Sequence, residues 1–152
     1  MYRNMRKATG LALVGLCPLL YALSLMLPAF DPLIPRQGGF PGWLAFKIGF
    51  GALTGPWYLD SHLAWMAASW LANPMIWAGL GCSSARRWSF ARWFGLAGIG
   101  FSLIPLMRWP GACVEMPGYW MWVASALALA IGSWLLALHP SSTSSASKTP
   151  PE

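Results

Sequence analysis

Four residues carry most of the chemistry on offer in this sequence: Asp60, His62, Asn73 and Glu115. A carboxylate two residues from an imidazole, with Glu115 and Asp31 predicted on the same side, is a donor combination that suits zinc or a proton site. A metal centre needs three or four converging ligands, however, and this spacing matches no metal signature. The simpler assignment makes Asp60 the cap of a helix beginning near Ser61 and His62 an interfacial residue. Asn73 stands directly before Pro74 within an apolar run. Pro74 has no N–H to give the Trp70 carbonyl and its ring strains the turn, which leaves backbone acceptors near Trp70 and Leu71 unpaired. The Asn73 amide can bond to a neighbouring helix or a trapped water. It then acts either as interhelical glue, the simpler assignment, or as a polar hinge for a small ligand.

What is missing discriminates further. No acidic or basic residue lies in the interior of any predicted span, whereas proton-coupled carriers, pumps and voltage sensors need ionisable groups at that depth. There is no Gly-x-Ser-x-Gly, His-Glu-x-x-His or phosphate loop. No catalytic residues, no metal and no cofactor are therefore expected, and the chain is not expected to be an enzyme. Haem is poorly served, because the other histidine, His139, is predicted at the opposite face. The three cysteines, Cys17, Cys82 and Cys113, form no CxxC pair and lie at different predicted depths, which argues against a disulfide framework. Cys113 alone would face an oxidising compartment, where an intermolecular bridge is open to it.

The elements that must position these residues follow from composition. The 152 residues are 57% hydrophobic and 9% charged, against about 25% charged in a typical soluble domain. An integral membrane protein of one domain is expected. Four predicted spans cover about 9–29, 61–81, 92–108 and 119–138, each close to the roughly 20 residues that cross a bilayer. Met1 to Ala29 resembles a signal peptide, but Leu27 would occupy the −3 position of a cut after Ala29, so the segment is expected to stay as an anchor, bent at Pro18. Residues 40–56 are Gly- and Pro-punctuated yet rich in aromatics. They are too short to cross and are expected to form an interfacial or re-entrant cap on the outer leaflet. Residues 139–152 read as a disordered cytoplasmic tail. The fold class is thus all-α: a polytopic four-transmembrane-helix bundle of residues 1–138 with an extracytoplasmic cap. The stretch 58–82 is expected to be the helix around which the others pack.

Charge sets the orientation. Arg3, Arg6, Lys7, Arg86, Arg87, Arg92 and Lys148 fall in one alternating set of loops, with Arg36, Lys47 and Arg108 in the other. By the positive-inside rule both termini are cytoplasmic. Topology and anionic lipid then account for the net charge of +6 without nucleic acid. Small residues four apart mark helix contacts: Ala64, Ala68 and Ala72; Ala91 and Gly95, with Gly98 and Ser102 beside them; Ala124, Ala128 and Gly132. These faces serve a tight bundle and could also take a protein partner or a second copy. Leu127, Leu129, Ile131 and Leu135 are expected to face lipid. Tyr119, Trp120 and Trp122 read as an aromatic belt, while Trp65, Trp70 and Trp77 lie deeper.

Over Gly42-Trp43, Gly49, Trp65 and Trp70-Leu71-Ala72-Asn73-Pro74 the chain resembles small, uncharacterised four-span bacterial inner-membrane proteins with Gly-Trp and Trp-x-Ala-Asn-Pro segments. The resemblance implies a bacterial cytoplasmic membrane and the four-span fold, and brings no activity. The leading expectation is a non-enzymatic membrane protein that binds a partner or modulates another membrane component, an immunity protein being one form. The alternative is a small transporter or channel subunit for a neutral or lipid-like solute, lined by Asn73 and the Gly-rich third span. A membrane enzyme or metal protein using Asp60, His62 and Glu115 is the third class. A ligand is best sought above Asn73, where Asp60 and His62 approach the Gly-Trp cap. Reporter fusions at residues 37, 85 and 140 should read outside, inside and inside; an outside signal at 85 would overturn this orientation.

Overall fold

The computed structural model describes residues 2–30, 40–55, 61–108 and 116–138. Its elements are α1 (Tyr2–Met26), β1 (Pro28–Phe30), β2 (Phe40–Pro41), α2 (Gly42–Thr54), α3 (Ser61–Trp70), α4 (Ala72–Ser84), α5 (Trp88–Ser102), α6 (Ile104–Arg108) and α7 (Pro117–Ala137). Among the described residues the fold is all-helical apart from one antiparallel strand pair, Pro28 opposite Pro41 and Phe30 opposite Phe40. Proline lacks the N–H that a ladder needs, so this pairing cannot extend far.

Three stretches among the described residues are long and apolar enough to cross a membrane: Asn4–Met26, Trp88–Met107 and Pro117–Ala137. The stretch expected to form one helix over 61–81 is divided instead into α3 and α4, of 10 and 13 residues, each too short alone. The physical reason is Pro74. Around it the chain tightens, with the Leu71 N–H bonding to the Ala68 carbonyl at 3.1 Å. Leu71 keeps right-handed helical angles, φ −59° and ψ −18°, so the break alters the hydrogen-bond pattern while the backbone continues in a helical sense. A similar joint separates α5 from α6 at Leu103, two residues before Pro105.

The packing centre is α7, not the 58–82 stretch. The first helix lies along it, and α5 and α4 pack on it as well. The reason is its supply of small residues: Gly118, Ser125, Ala126, Ala128, Ala130, Gly132 and Ser133 are all buried. A Cβ added to Gly132 would fall 2.8 Å from the Gly10 carbonyl oxygen, and one on Gly95 would fall 2.7 Å from the Ala130 nitrogen. Helices touch here at backbone distance, the mode of association that works without a hydrophobic driving force. These contacts also give direction. The N-terminal half of α1 meets the C-terminal half of α7 while Gly118, at the start of α7, meets Leu27 and Pro28; along α5, Gly95 meets Ala130 and Gly98 meets Ala126. Both therefore run antiparallel to α7.

Several expected faces are altered. Leu129 is fully buried, whereas Leu127 and Ile131 are exposed. Two residues along a helix is about 200° of rotation, so Leu129 cannot share a face with Leu127. It fills the notch at Gly79, where an added Cβ would lie 2.6 Å from Leu129 Cδ2. Of the expected belt, only Trp120 is exposed; Tyr119 is buried and Trp122 half-buried. Trp65 and Trp77, expected deeper, are about half exposed, and Trp70 is partly covered. Ala91, Gly95, Gly98, Ser102, Ala128 and Gly132 are consumed within the bundle, leaving those faces unavailable to a partner.

The close approach of α5 and α7 is directly testable. Gly95→Ala must push the Ala130 backbone away and should destabilise the protein in detergent by about 1–3 kcal/mol. Gly100→Ala, where nothing lies within 4 Å, should be neutral or stabilising by roughly 0.5–1 kcal/mol. Equal thermal unfolding of the two variants would contradict this packing.

Candidate functional site

A cavity of about 310 Å³ lies where α1 ends and α7 begins, with α2 as one wall and the α3–α4 joint as another. Two glycines let α2 come close. Gly42 follows the strand pair, and its N–H donates to the Leu27 carbonyl at 2.9 Å. A Cβ there would strike the Ser24 carbonyl oxygen, so any other residue would lift α2 away. One and a half to two turns on, Gly49 faces Trp70, whose Cδ1 is 2.7 Å from the position of an added Cβ. Phe46 and Phe50 flank the same ring with centroid separations of 5.4 Å each. Such tilted aromatic pairs contribute beyond their buried area.

Asn73 is buried in the opposite wall and makes three hydrogen bonds. Its Nδ2 donates to the Trp70 carbonyl at 3.0 Å. That is the acceptor which Pro74 leaves without its amide, so the side chain one residue earlier replaces the missing backbone bond. Its Oδ1 accepts from the Tyr21 hydroxyl at 2.9 Å and from the Trp122 Nε1 at 3.1 Å. One amide thus ties α1, α4 and α7 together. The α5–α6 joint is served in a related way: the Ser102 carbonyl accepts from the Tyr119 hydroxyl at 2.9 Å.

The two serine hydroxyls of the cavity are also spoken for as donors. Ser24 Oγ donates to the Tyr21 carbonyl at 2.6 Å, and Ser69 Oγ to the Met66 carbonyl at 2.9 Å. Each hydroxyl oxygen keeps lone pairs with which to accept. Among the described lining residues there is no charged side chain; Leu25, Ala45, Phe46, Ile48 and Met66 supply apolar wall. The volume is at the small end of the roughly 300–1,000 Å³ typical of ligand pockets. Chemically, the described lining suits a neutral, mainly apolar molecule offering a hydroxyl donor, and none of those residues would balance a carboxylate or phosphate. The indole N–H of Trp70 is buried without a hydrogen-bond partner.

Of the residues singled out by sequence, only Asn73 can be placed by its side chain. Asp60 and Glu115 lie outside the described residues, as does Cys113. His62 falls within the first turn of α3, with its side chain outside the described set. Sequence reasoning overlooked Tyr21, Ser24, Ser69 and Trp122. Tyr21 did leave a signal: a lone phenol in an otherwise apolar run must find an acceptor when buried. Trp122 left none, since its position near a span boundary fits an aromatic belt equally well.

Replacing the shared acceptor tests the joint. Asn73→Ala leaves the Tyr21 and Trp122 donors and the Trp70 carbonyl unmet, and should cost about 1–3 kcal/mol in detergent unfolding. Tyr21→Phe should cost less, near 1 kcal/mol, and almost nothing in an Asn73→Ala background. Additive losses would show that the two side chains do not interact.

No protein-family model, no curated protein and no solved structure matches this chain.

Proposed function

We propose that the chain is a non-enzymatic membrane protein that crosses the bilayer four times and binds a neutral, lipid-like molecule in the cavity beneath α2. The crossings are α1, α3 with α4, α5 with α6, and α7. The division of large and small side chains supports insertion. Leu11, Leu16, Leu19, Leu23, Phe90, Trp93, Leu96, Leu127 and Ile131 are exposed, while the buried set is rich in Ala and includes Ser69, Asn73, Ser83, Ser102, Ser125 and Ser133. Water would penalise that exposed apolar surface, and lipid would not. The helical angles of Leu71 and the flanking of α3 by α6 and of α4 by α5 support α3–α4 as one crossing antiparallel to α5–α6. α2, at 13 residues, is the outer cap. Both termini lie on the cytoplasmic side of a bacterial inner membrane, in keeping with the basic residues there.

The observation carrying the binding reading is the uncharged cavity with Asn73 in its wall. It favours a neutral or lipid-like solute, because Ala91, Gly95, Gly98, Ala128 and Gly132 already pack inside the bundle while the cavity stands open. At about 30 Å³ per non-hydrogen atom, the volume share of a water molecule, the space accommodates on the order of ten such atoms. Decanol is therefore a suitable probe. Native mass spectrometry of the detergent-solubilised protein should show uptake of one decanol per chain, and Ala45→Phe, which fills the wall, should reduce that uptake about tenfold without loss of thermal stability. Absence of a one-to-one adduct, or equal uptake by the variant, would remove this reading.

A further inference from the structure

The end of the bundle away from the cavity brings together the N-terminal part of α1, the turn between α4 and α5, and the C-terminal part of α7. Gly10 against Gly132, and Gly95 against Ala130, fix that arrangement. Arg6, Lys7, Arg86 and Arg87 are exposed there, and Arg92 is half-buried one turn into α5. No Asp or Glu occurs among the described residues, so none of these cations has a carboxylate partner within that set.

Arg92 is held differently from the others. Its guanidinium carbon lies 5.4 Å from the centroid of Trp93 and 5.4 Å from that of Trp134. Rings on two helices thus fix the position of one charge. Its Nε is nevertheless buried without a hydrogen-bond partner. The fold orients this guanidinium, and among the described residues its buried Nε meets no acceptor, an unusual state for a buried polar group. Leu96, one turn along α5, and Ile131 and Leu138 on α7 are exposed apolar neighbours of the same rings. A soluble anion would match the charge alone. A phospholipid matches both features, with its phosphate at Arg92 and an acyl chain along the outer surface of α5 and α7.

We infer that this end of the bundle is a binding site for the phosphate of an anionic phospholipid, with Arg92 as the forked donor and Arg86 and Arg87 as supporting charges. The fork of a guanidinium suits a phosphate better than an ammonium does, and juxtamembrane basic residues add attraction to anionic lipid. The site rests on the membrane reading above and is independent of the cavity at the other end.

The test uses the full chain in mild detergent, with phosphatidylglycerol, phosphatidylcholine and inorganic phosphate as separate probes in native mass spectrometry. Phosphatidylglycerol should bind saturably and more tightly than phosphatidylcholine. Arg92→Gln should weaken it about tenfold, and Arg87→Gln about fivefold. Arg92→Lys keeps the charge for folding and should still lose part of the affinity, so it carries the test if Arg92→Gln does not fold. Equal binding of the two lipids, or unchanged phosphatidylglycerol binding in both Arg92 variants, overturns the site. Displacement of phosphatidylglycerol by millimolar inorganic phosphate would assign the site to a soluble anion and overturn the lipid assignment. Failure of the membrane reading itself would appear separately, as release of the chain from membranes by alkaline carbonate.

Discussion

Everything else in the fold is arranged around the backbone-distance contacts of α7. Three helices reach it, and at each crossing a missing side chain makes room: Gly10 and Gly132 for α1, Gly95 opposite Ala130 for α5, and Gly79 for Leu129 between α4 and α7. Dispersion falls steeply with separation, so a gap of even 1 Å would forfeit much of the attraction that holds such helices together. Close approach in turn decides what may be buried. The interior of this bundle consists of Ala, Gly and Ser with a few larger inserts such as Ile76, Leu129 and Cys17, and the bulky aliphatic side chains are left outside.

That economy of interior volume sharpens the problem of the proline joints. A carbonyl freed inside a tight, apolar bundle has no water at hand. The chain meets it with side chains reaching from where the helices already touch. Asn73 covers the Trp70 carbonyl from its own helix and is itself steadied from α1 and α7 by Tyr21 and Trp122. Tyr119 reaches across from α7 to the Ser102 carbonyl beside the second joint. The cavity is bounded by these same groups, which explains its character: polar atoms line it, and most of their donors are already committed. The cavity and the architecture share one set of hydrogen bonds here.

Much of this was legible in the residues. The all-helical class follows from hydropathy and from charge scarcity, and the small-residue positions Ala91, Gly95, Ala128 and Gly132 were recognisable from four-residue spacing. The Asn73-Pro74 pair announced a joint, including the carbonyl that needed a partner. Which helices would supply the other partners was not legible, because Tyr21 and Trp122 are separated from Asn73 by about fifty residues each. Nor could the sequence tell that α7 and not the 58–82 stretch is the hub; both are Ala-rich, and only the three-sided burial of α7 distinguishes them. Leu129 shows the opposite case, since helical rotation alone placed it away from Leu127. The cavity depended on Gly42 and Gly49 drawing α2 onto Ser24 and Trp70, a tertiary fact that turn-forming composition does not reveal.

The position of α7 also bears on the order in which the bundle can assemble. The helix that the others touch is made after all three of them, and α1, made before α4 and α5, has its principal packing surface on it. Until α7 is made, the close-contact face of α1 around Gly10 lacks the Gly132 backbone on which it packs, and Asn73 can take the Tyr21 hydroxyl but not the Trp122 indole N–H. Contacts between the ends of a chain form late and at high entropic cost. Closing these contacts thus falls to α7, a small-residue helix that packs among three made before it.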